Sequence, residues 1–232
     1  MTGVQTCALP ILLGANLIDG TGGPVLQDSA VLIDGERIKE VGPRAAVQLP
    51  PGTEEIKLSG LTLLPGLIDT HDHLAHKNYS LISRSEIEDP ASLHHLKTAR
   101  AIEESLAAGY TCIRDAGGLD AGFKLAVDQG LINGPRLLTS VAIVSPTGGI
   151  GDRVAASGHR NTFNSDPMHP DGVANGPNDI RALVRELVRV GADVIKFSTS
   201  GGASTRSVYG HKDIASCPAV VMSIVDVSRT QE

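Results

Sequence analysis

Apolar and polar positions follow two different rhythms along this chain, and the change comes near Gly60. Between Ile11 and Gly60, short apolar runs are broken by turn residues, and Asp34-Gly35 separates two runs with strand periodicity. An Asp-Gly pair favours the positive φ angles of a type I′ turn. This stretch therefore predicts a β-hairpin within a small β module.

After Gly60, apolar strands alternate with helices that end at a glycine. The clearest helix runs from Pro177 to Val190, where apolar residues recur at helical spacing up to Gly191, and Val194 to Phe197 is the next predicted strand. Earlier repeats of the same pattern predict helices at 93–106 and 121–129 and strands at 110–114 and 136–144. Such alternation predicts parallel βαβ units, in either an open doubly wound sheet or a barrel.

The helix predicted at 93–106 has an apolar face and two adjacent histidines. The residues at helical spacing, which we expect to be buried, are Leu96, Ala99, Ile102 and Leu106. His94 and His95 are neighbours in a helix and so point about 100° apart. We expect them at the surface rather than as ligands of one ion.

Composition removes several classes of function. The 232 residues carry a net charge of −6, and 41% are hydrophobic but only 3% aromatic. A globular core is expected, whereas a nucleic-acid surface built on stacked aromatics is not. No run reaches the ~18 apolar residues of a membrane span. Three widely separated cysteines predict neither disulfides nor a thiolate zinc site, so we expect a cytoplasmic protein.

The segment from Leu61 to Leu74 carries the first candidate chemistry. An apolar strand leads into His71 and His73, and residues two apart in a strand point to the same face. Both imidazoles can then approach one metal ion, although a bare His-x-His also fits two polar residues at the junction of a strand and a loop. His76 is expected in the loop beyond.

Lys196 is the second candidate, because it interrupts the apolar strand 194–197. A lysine among buried residues carries a desolvation cost unless its amine is paired, neutralised or modified. The alternative is that its side chain extends along the strand end into solvent. A third candidate is Asp115, which follows the predicted strand 110–114 and either lines the mouth of the site or, as we favour, caps the following loop.

These motifs together resemble the amidohydrolase superfamily, in particular its imidazolonepropionase-like and Xaa-Pro dipeptidase-like branch. The resemblance rests on LLPGLIDTHDHL, on the GADVIKF strand with its SGG turn, and on the preceding NLIDGTGGPVLQDSAVLIDGERIKEVG segment. It covers roughly Ile11 to Ala215, with the motifs in the family's order.

The resemblance implies an α/β fold, a (β/α)₈ TIM-like barrel preceded by a small β module. It implies that His71 and His73 bind a divalent metal, usually zinc, and that Lys196 is carboxylated by CO₂ to bridge a second metal. The implied reaction is hydrolysis of a C–N bond in an amide, cyclic amide or dipeptide through a metal-bound hydroxide. The partner is then a small-molecule substrate, with no nucleic acid or membrane, and homo-oligomerisation is left open.

The chain also departs from the family pattern. Only 36 residues follow Lys196 (232 − 196), so we expect a partial barrel of about four βα units. We divide the chain into an unassigned leader (1–10), a β-sandwich segment (11–60), the first half of the barrel (61–216) and a divergent tail (217–232). The tail is expected to form a helix around Val221, Ile224 and Val225 beside an otherwise unpaired strand 194–197, and the chain alone is expected to be inactive.

Three further interpretations remain open. Tyr209, in the loop after the Lys196 strand, is a candidate catalytic residue that donates a hydrogen bond to a substrate carbonyl. Lys196 could instead act as a Schiff-base nucleophile in a lyase, which needs an unmodified amine of lowered pKa. The third interpretation is a non-catalytic partial barrel that binds metal or a partner subunit.

Overall fold

The structure, a computed structural model, describes residues 9–75, 89–152, 158 and 170–198, and the backbone of 224–226. The chain divides into two compact units, Met1–Gly66 and Leu67–Glu232. The division falls after Gly66, where the sequence pattern suggested Gly60.

The first unit is built on one five-stranded sheet. Its strands are β1 (Pro10–Leu17), β2 (Leu26–Asp34), β3 (Arg37–Pro43), β4 (Glu54–Lys57) and β5 (Thr62–Leu63). The order is β3-β2-β1-β4, with β5 also paired to β1; β2 is antiparallel to β1 and β3, and β4 and β5 are parallel to β1. The buried core consists of Ile11, Leu13, Ala30, Leu32 and Val47.

The predicted hairpin is formed by β2 and β3, but its turn lies one residue later than expected. Asp34 pairs with Arg37, so the central residues of the turn are Gly35 and Glu36. Among these two, only Gly35 has a positive φ, 60°. A type I′ turn needs positive φ at both central residues, so the predicted type I′ turn at Asp34-Gly35 is wrong.

The second unit alternates strands and helices. Its elements are β6 (Leu67–Asp72), α1 (Ala91–Ala107), β7 (Tyr110–Asp115), α2 (Ala121–Asp128), β8 (Arg136–Thr139), β9 (Ile143–Val144), α3 (Pro177–Arg189), β10 (Val194–Phe197) and β11 (Ile224–Asp226). Strands β6, β7 and β8 form one parallel sheet. In a second sheet, β10 is parallel to β9 and antiparallel to β11.

The helices of this unit cover the sheets through two apolar clusters. Under β6 to β8 lie Leu74, Ile102, Ile113, Leu119 and Leu137. Under β9 and β10 lie Val141, Val144, Ala174, Leu183, Leu187, Ala192 and Ile195. Ile113 and Ile195 therefore face the helices, and by strand alternation Arg114 and Lys196 face the opposite side of their sheets.

The strand predicted at 136–144 is divided into β8 and β9, which belong to different sheets. The break lies at Val141, whose φ is 64°, a conformation that a β-branched residue rarely adopts. Local bonds hold it: the Val141 N–H donates to Thr139 Oγ1 at 3.0 Å, and the Ala142 N–H donates to the Ser140 carbonyl at 2.7 Å. The single long strand predicted from apolar content is thus wrong.

Helix α1 buries the predicted Ile102, but the rest of its buried row differs from the one predicted. Its buried residues are His94, Thr98 and Ile102, whereas Leu96 is 69% exposed. The expectation that His94 lies at the surface is therefore wrong, although His95 is exposed. Residues 94, 98 and 102 are spaced i, i+4, i+8 and so lie on one face of the helix. Two of the three are polar, and a search for apolar residues at helical spacing therefore does not detect this face.

The end of the chain also differs from the prediction. Ile224–Asp226 is a strand rather than part of a helix, and it pairs with Val194–Lys196. Both edges of β10 are consequently paired, one with β9 and one with β11. The unpaired edge expected for this strand is not present. Within the described ranges, no helix has the length and apolar character needed to cross a membrane.

Replacing His94 with Gln is expected to reduce the loss of unfolding free energy between about pH 7 and about pH 5. Burial, and next the neighbouring His95, lowers the pKa of His94. As the pH falls, the imidazole of His94 is therefore protonated in the unfolded chain at a higher pH than in the folded chain. His94 thus destabilises the fold progressively below about pH 6.5.

Urea unfolding at the two pH values measures the effect. The matched control is His95→Gln, on the same helix turn but exposed. If both variants lose as much stability on acidification as the parent chain, the burial of His94 has no part in the acid response.

Candidate metal centre

His71 and His73 lie at the carboxyl end of β6, where the strand gives way to a loop. His71 is on the strand, but β6 ends at Asp72, so His73 follows it. The two rings meet edge to face, with centroids 5.4 Å apart and planes inclined at 62°. Two imidazoles on one tetrahedral ion would have their centroids roughly 5 Å apart. The rings therefore converge, although not through the regular strand alternation that the sequence suggested.

The ring of His73 is oriented by a backbone carbonyl. Its Nδ1 lies 2.8 Å from the carbonyl oxygen of Gly117, so Nδ1–H is the donor and Nε2 is the nitrogen able to bind a metal. The His73 amide in turn donates to the Asp72 carboxylate at 2.7 Å. At protein metal sites, a ligating imidazole usually donates its other ring N–H to a carbonyl or carboxylate, as His73 does to the Gly117 carbonyl.

Lys196 lies on β10 with its side chain directed at His71. It is only 2% exposed, and its Nζ is 3.1 Å from His71 Nε2. The amine therefore does not extend into solvent. Burial lowers the pKa of Lys196, and the positive charge of Arg114 lowers it further, while Asp115 opposes the shift. These effects favour the neutral amine.

The two imidazoles are also held towards their neutral forms. Burial lowers the pKa of His71, with Lys196 and Arg114 acting in the same direction. Burial likewise lowers the pKa of His73, against the effect of its bond to the Gly117 carbonyl. Neutral imidazole is the form that binds metals, so the electrostatics of the site suit metal binding near neutral pH.

Asp115 is fully buried at the end of β7 and accepts three backbone N–H groups. Its Oδ1 accepts from Gly117 at 2.9 Å and from Leu119 at 3.2 Å, and its Oδ2 accepts from Leu74 at 2.8 Å. Burial raises its pKa to about 7, although the three N–H donors act to lower it. It caps the loop, as favoured from the sequence, and also fixes the chain directly after His73.

Arg114 is a site residue that the sequence reasoning missed. It is half-buried on β7, and its Nε–H donates to the Thr70 carbonyl at 2.7 Å. The available signal was the same one that identified Lys196, a charged residue within an otherwise apolar strand. The strand itself was predicted correctly, at 110–114 against Tyr110–Asp115 in the structure.

Three further residues named in the sequence analysis are not described by the structure. Tyr209, His76 and the tail residue Val221 lie outside the described residues. Among the described residues, no group of three or more His, Cys, Asp and Glu side chains is placed to hold a metal ion. The cluster consists of His71, His73 and Lys196.

Comparison with known proteins identifies the family of this chain. Residues 62–232 match the model of the amidohydrolase family. The chain is 32% identical over 212 residues to ochratoxinase from Aspergillus niger, covering 84% of this chain and 43% of that protein. It is 48% identical over 50 residues to imidazolonepropionase from an Arthrobacter species, covering 22% of this chain and 12% of that protein.

A solved prolidase complexed with N-methylphosphonate-L-proline is similar in structure, with a TM-score of 0.73 and 33% identity, covering 85% of this chain and 48% of the prolidase. The fold and these matches thus define the class of protein as an amidohydrolase-type hydrolase. The chain belongs to the amidohydrolase family. It spans about half the length of the two longer matches.

Asp115→Asn is expected to lower the free energy of unfolding by about 1–3 kcal/mol, because an Asn amide nitrogen cannot accept the third N–H and leaves it buried without a partner. Asp128→Asn, at the exposed end of α2, is the matched control and is expected to change little. Chemical denaturation of both variants measures the difference. Equal stabilities would show that the buried carboxylate is not needed to hold the loop.

Proposed function

We propose that this site belongs to a metal-dependent hydrolase of C–N bonds, with His71, His73 and a CO₂-carboxylated Lys196 as metal ligands. The supporting observation is the 3.1 Å approach of Lys196 Nζ to His71 Nε2. In this contact the buried amine of Lys196, the group open to modification, lies beside the exposed ring of His71. Because the chain spans about half of its longer relatives, activity, substrate and partners are all part of the proposal.

The donor set suits a divalent cation. Two imidazoles are borderline ligands that zinc accepts readily, and a carbamate on Lys196 would add a hard anionic oxygen. The carbamate would be an anion neutralised by the cation it holds, so that Lys196, 2% exposed, would carry no isolated buried charge. The carbamate could bridge two metals, of which His71 and His73 would bind one.

A divalent metal bound here would supply Lewis-acid polarisation of a carbonyl and a lowered pKa of bound water. The residues of this chain have separate tasks. His73 keeps its ring fixed through the Gly117 carbonyl. The lowered pKa of Lys196, caused first by burial, favours the neutral amine that reacts with CO₂. Asp115 holds the loop that carries Gly117. Tyr209 remains a candidate donor to the substrate carbonyl.

The relatives suggest the substrate class. Their names, ochratoxinase, imidazolonepropionase and prolidase, support a small amide, cyclic amide or dipeptide. We further propose that the second unit forms part of a (β/α)₈ barrel, with the site at the carboxyl ends of its strands, where barrel enzymes place their chemistry. A cytoplasmic location fits the three widely separated cysteines of the sequence.

Zinc affinity is expected to depend on CO₂ through Lys196. Equilibrium dialysis in bicarbonate buffer should show zinc binding about tenfold tighter than in CO₂-free buffer. Lys196→Ala should bind weakly in both, and His71→Ala should lose binding. His95→Ala, an exposed histidine outside the site, is the control. Native mass spectrometry should find the mass of one CO₂ on Lys196.

Zinc affinity that is the same with and without bicarbonate, and the same in Lys196→Ala, would rule out the carbamate. The Schiff-base alternative has its own signature. Borohydride reduction with an aldehyde or ketone substrate would then trap a covalent adduct on Lys196, and zinc would be irrelevant.

The zinc-loaded chain of 232 residues is expected to hydrolyse dipeptides and cyclic amides no faster than His71→Ala. Among the described residues, no group of three or more His, Cys, Asp and Glu side chains is placed to hold a metal ion, so the proposed ligand set here is limited to two imidazoles and one lysine. Turnover in the parent that disappears in His71→Ala would show that the chain is a working hydrolase by itself.

A further inference from the structure

The pairing of β6 with β7 contains an extra residue at the position of the candidate ligand His71. Asp69 pairs with Ile113, and the next pair is Asp72 with Asp115. Two residues of β6, Thr70 and His71, therefore lie opposite the single residue Arg114. This is a β-bulge, which is uncommon between parallel strands and typically redirects a side chain.

A bulge removes backbone groups from the regular ladder, and here side chains bond two of them. The His71 N–H donates to Asp69 Oδ1 at 2.9 Å. The Thr70 carbonyl accepts from Arg114 Nε at 2.7 Å. Strand β6 is largely exposed, and each such bond contributes a net stabilisation of about 0.5–1.5 kcal/mol; together the two bonds favour the bulged register over a regular one.

The bulge decides which face His71 occupies. If the ladder continued regularly from Asp69 opposite Ile113, His71 would lie opposite Asp115 and share its face, since paired residues of neighbouring strands point the same way. Ile113 on that face packs in the apolar cluster under the helices. With the extra residue, His71 lies opposite Arg114, on the face from which it meets Lys196 at 3.1 Å.

We propose that Arg114, together with Asp69, is a positioning residue that holds the bulge in β6 and thereby directs His71 to the metal site. This inference rests on the proposed function only in its last step, the metal. The bond from Arg114 to Thr70 is made through Nε alone, and its terminal nitrogens make no bond with a described residue. The planar guanidinium can therefore serve the strand without occupying a site ligand.

The test compares Arg114→Met with Arg136→Met in the full chain. Methionine keeps the apolar stem but removes the donor. Arg136 begins β8, is exposed, and has no hydrogen bond or ion pair among the described residues, so it is a matched control. Amide hydrogen exchange reports on the bulge without any metal, and zinc dialysis reports on the ligand.

In Arg114→Met, exchange at the His71 amide should accelerate by about tenfold, as expected for the loss of one net hydrogen bond. His71-dependent zinc affinity should fall by about tenfold, the usual effect of removing a residue that orients a ligand. Relative to Arg136→Met, the free energy of unfolding should fall by no more than the loss of this one bond, about 0.5–1.5 kcal/mol; a larger fall would indicate a general structural role of Arg114.

A second pair of variants keeps the test decisive if Arg114→Met does not fold. Asp69→Asn retains an oxygen that can accept the His71 N–H and should behave like the parent. Asp69→Leu removes the acceptor and should show both the faster exchange and the weaker zinc binding.

Unchanged exchange at His71 in Arg114→Met and in Asp69→Leu would overturn the inference. Faster exchange with unchanged zinc affinity would also overturn it, because the bulge would then not control the ligand. If the parent chain showed no His71-dependent zinc binding, the proposed function would fail, and exchange alone would decide whether these residues hold the bulge.

Discussion

The buried carboxylate of Asp115 is the constraint on which the site depends. Its oxygens accept N–H groups from the segment after β6 and from the loop after β7, and thereby join the ends of two neighbouring strands. The same loop presents the Gly117 carbonyl to the ring of His73. One carboxylate, fully removed from water, thus determines where one imidazole points. A group in this position is difficult to replace, because any uncharged substitute leaves at least one buried N–H without an acceptor.

The secondary structure was predictable wherever apolar residues alone occupied the buried face of a helix or strand. The helix at 177–190 and the strand Val194–Phe197 agree with the structure within one residue, because apolar residues at helical spacing ended at a glycine. Prediction failed where local backbone geometry or tertiary contacts dominated. Val141 adopts a positive φ that its side chain disfavours, and His94 is buried although it is polar. Ile224–Asp226 is a strand because it pairs with β10. The periodicity of this short segment alone could not predict a contact with a distant strand.

The candidate site was predictable in its residue types but not in its geometry. His71, His73 and Lys196 were selected because imidazoles two apart and a lysine in an apolar strand each require an explanation, and the structure brings His71 and Lys196 into contact. The approach of the two histidine rings depends on the bulge in β6 and on the end of this strand at Asp72. Neither feature can be inferred from the spacing of the two histidines in the sequence. Arg114 escaped notice because its task concerns a neighbouring backbone carbonyl, a contact that exists only after two strands pair.

The central claim is that His71, His73 and a carboxylated Lys196 hold one metal centre. Crystals of the chain grown with zinc and bicarbonate, with anomalous diffraction recorded at the zinc absorption edge, test this directly. The account predicts an anomalous peak about 2.0–2.1 Å from one nitrogen of each imidazole, with density for a carbamate beyond Lys196 Nζ. A peak elsewhere on the chain, or an unmodified Lys196 still bonded to His71 while zinc is bound away from both histidines, would contradict it.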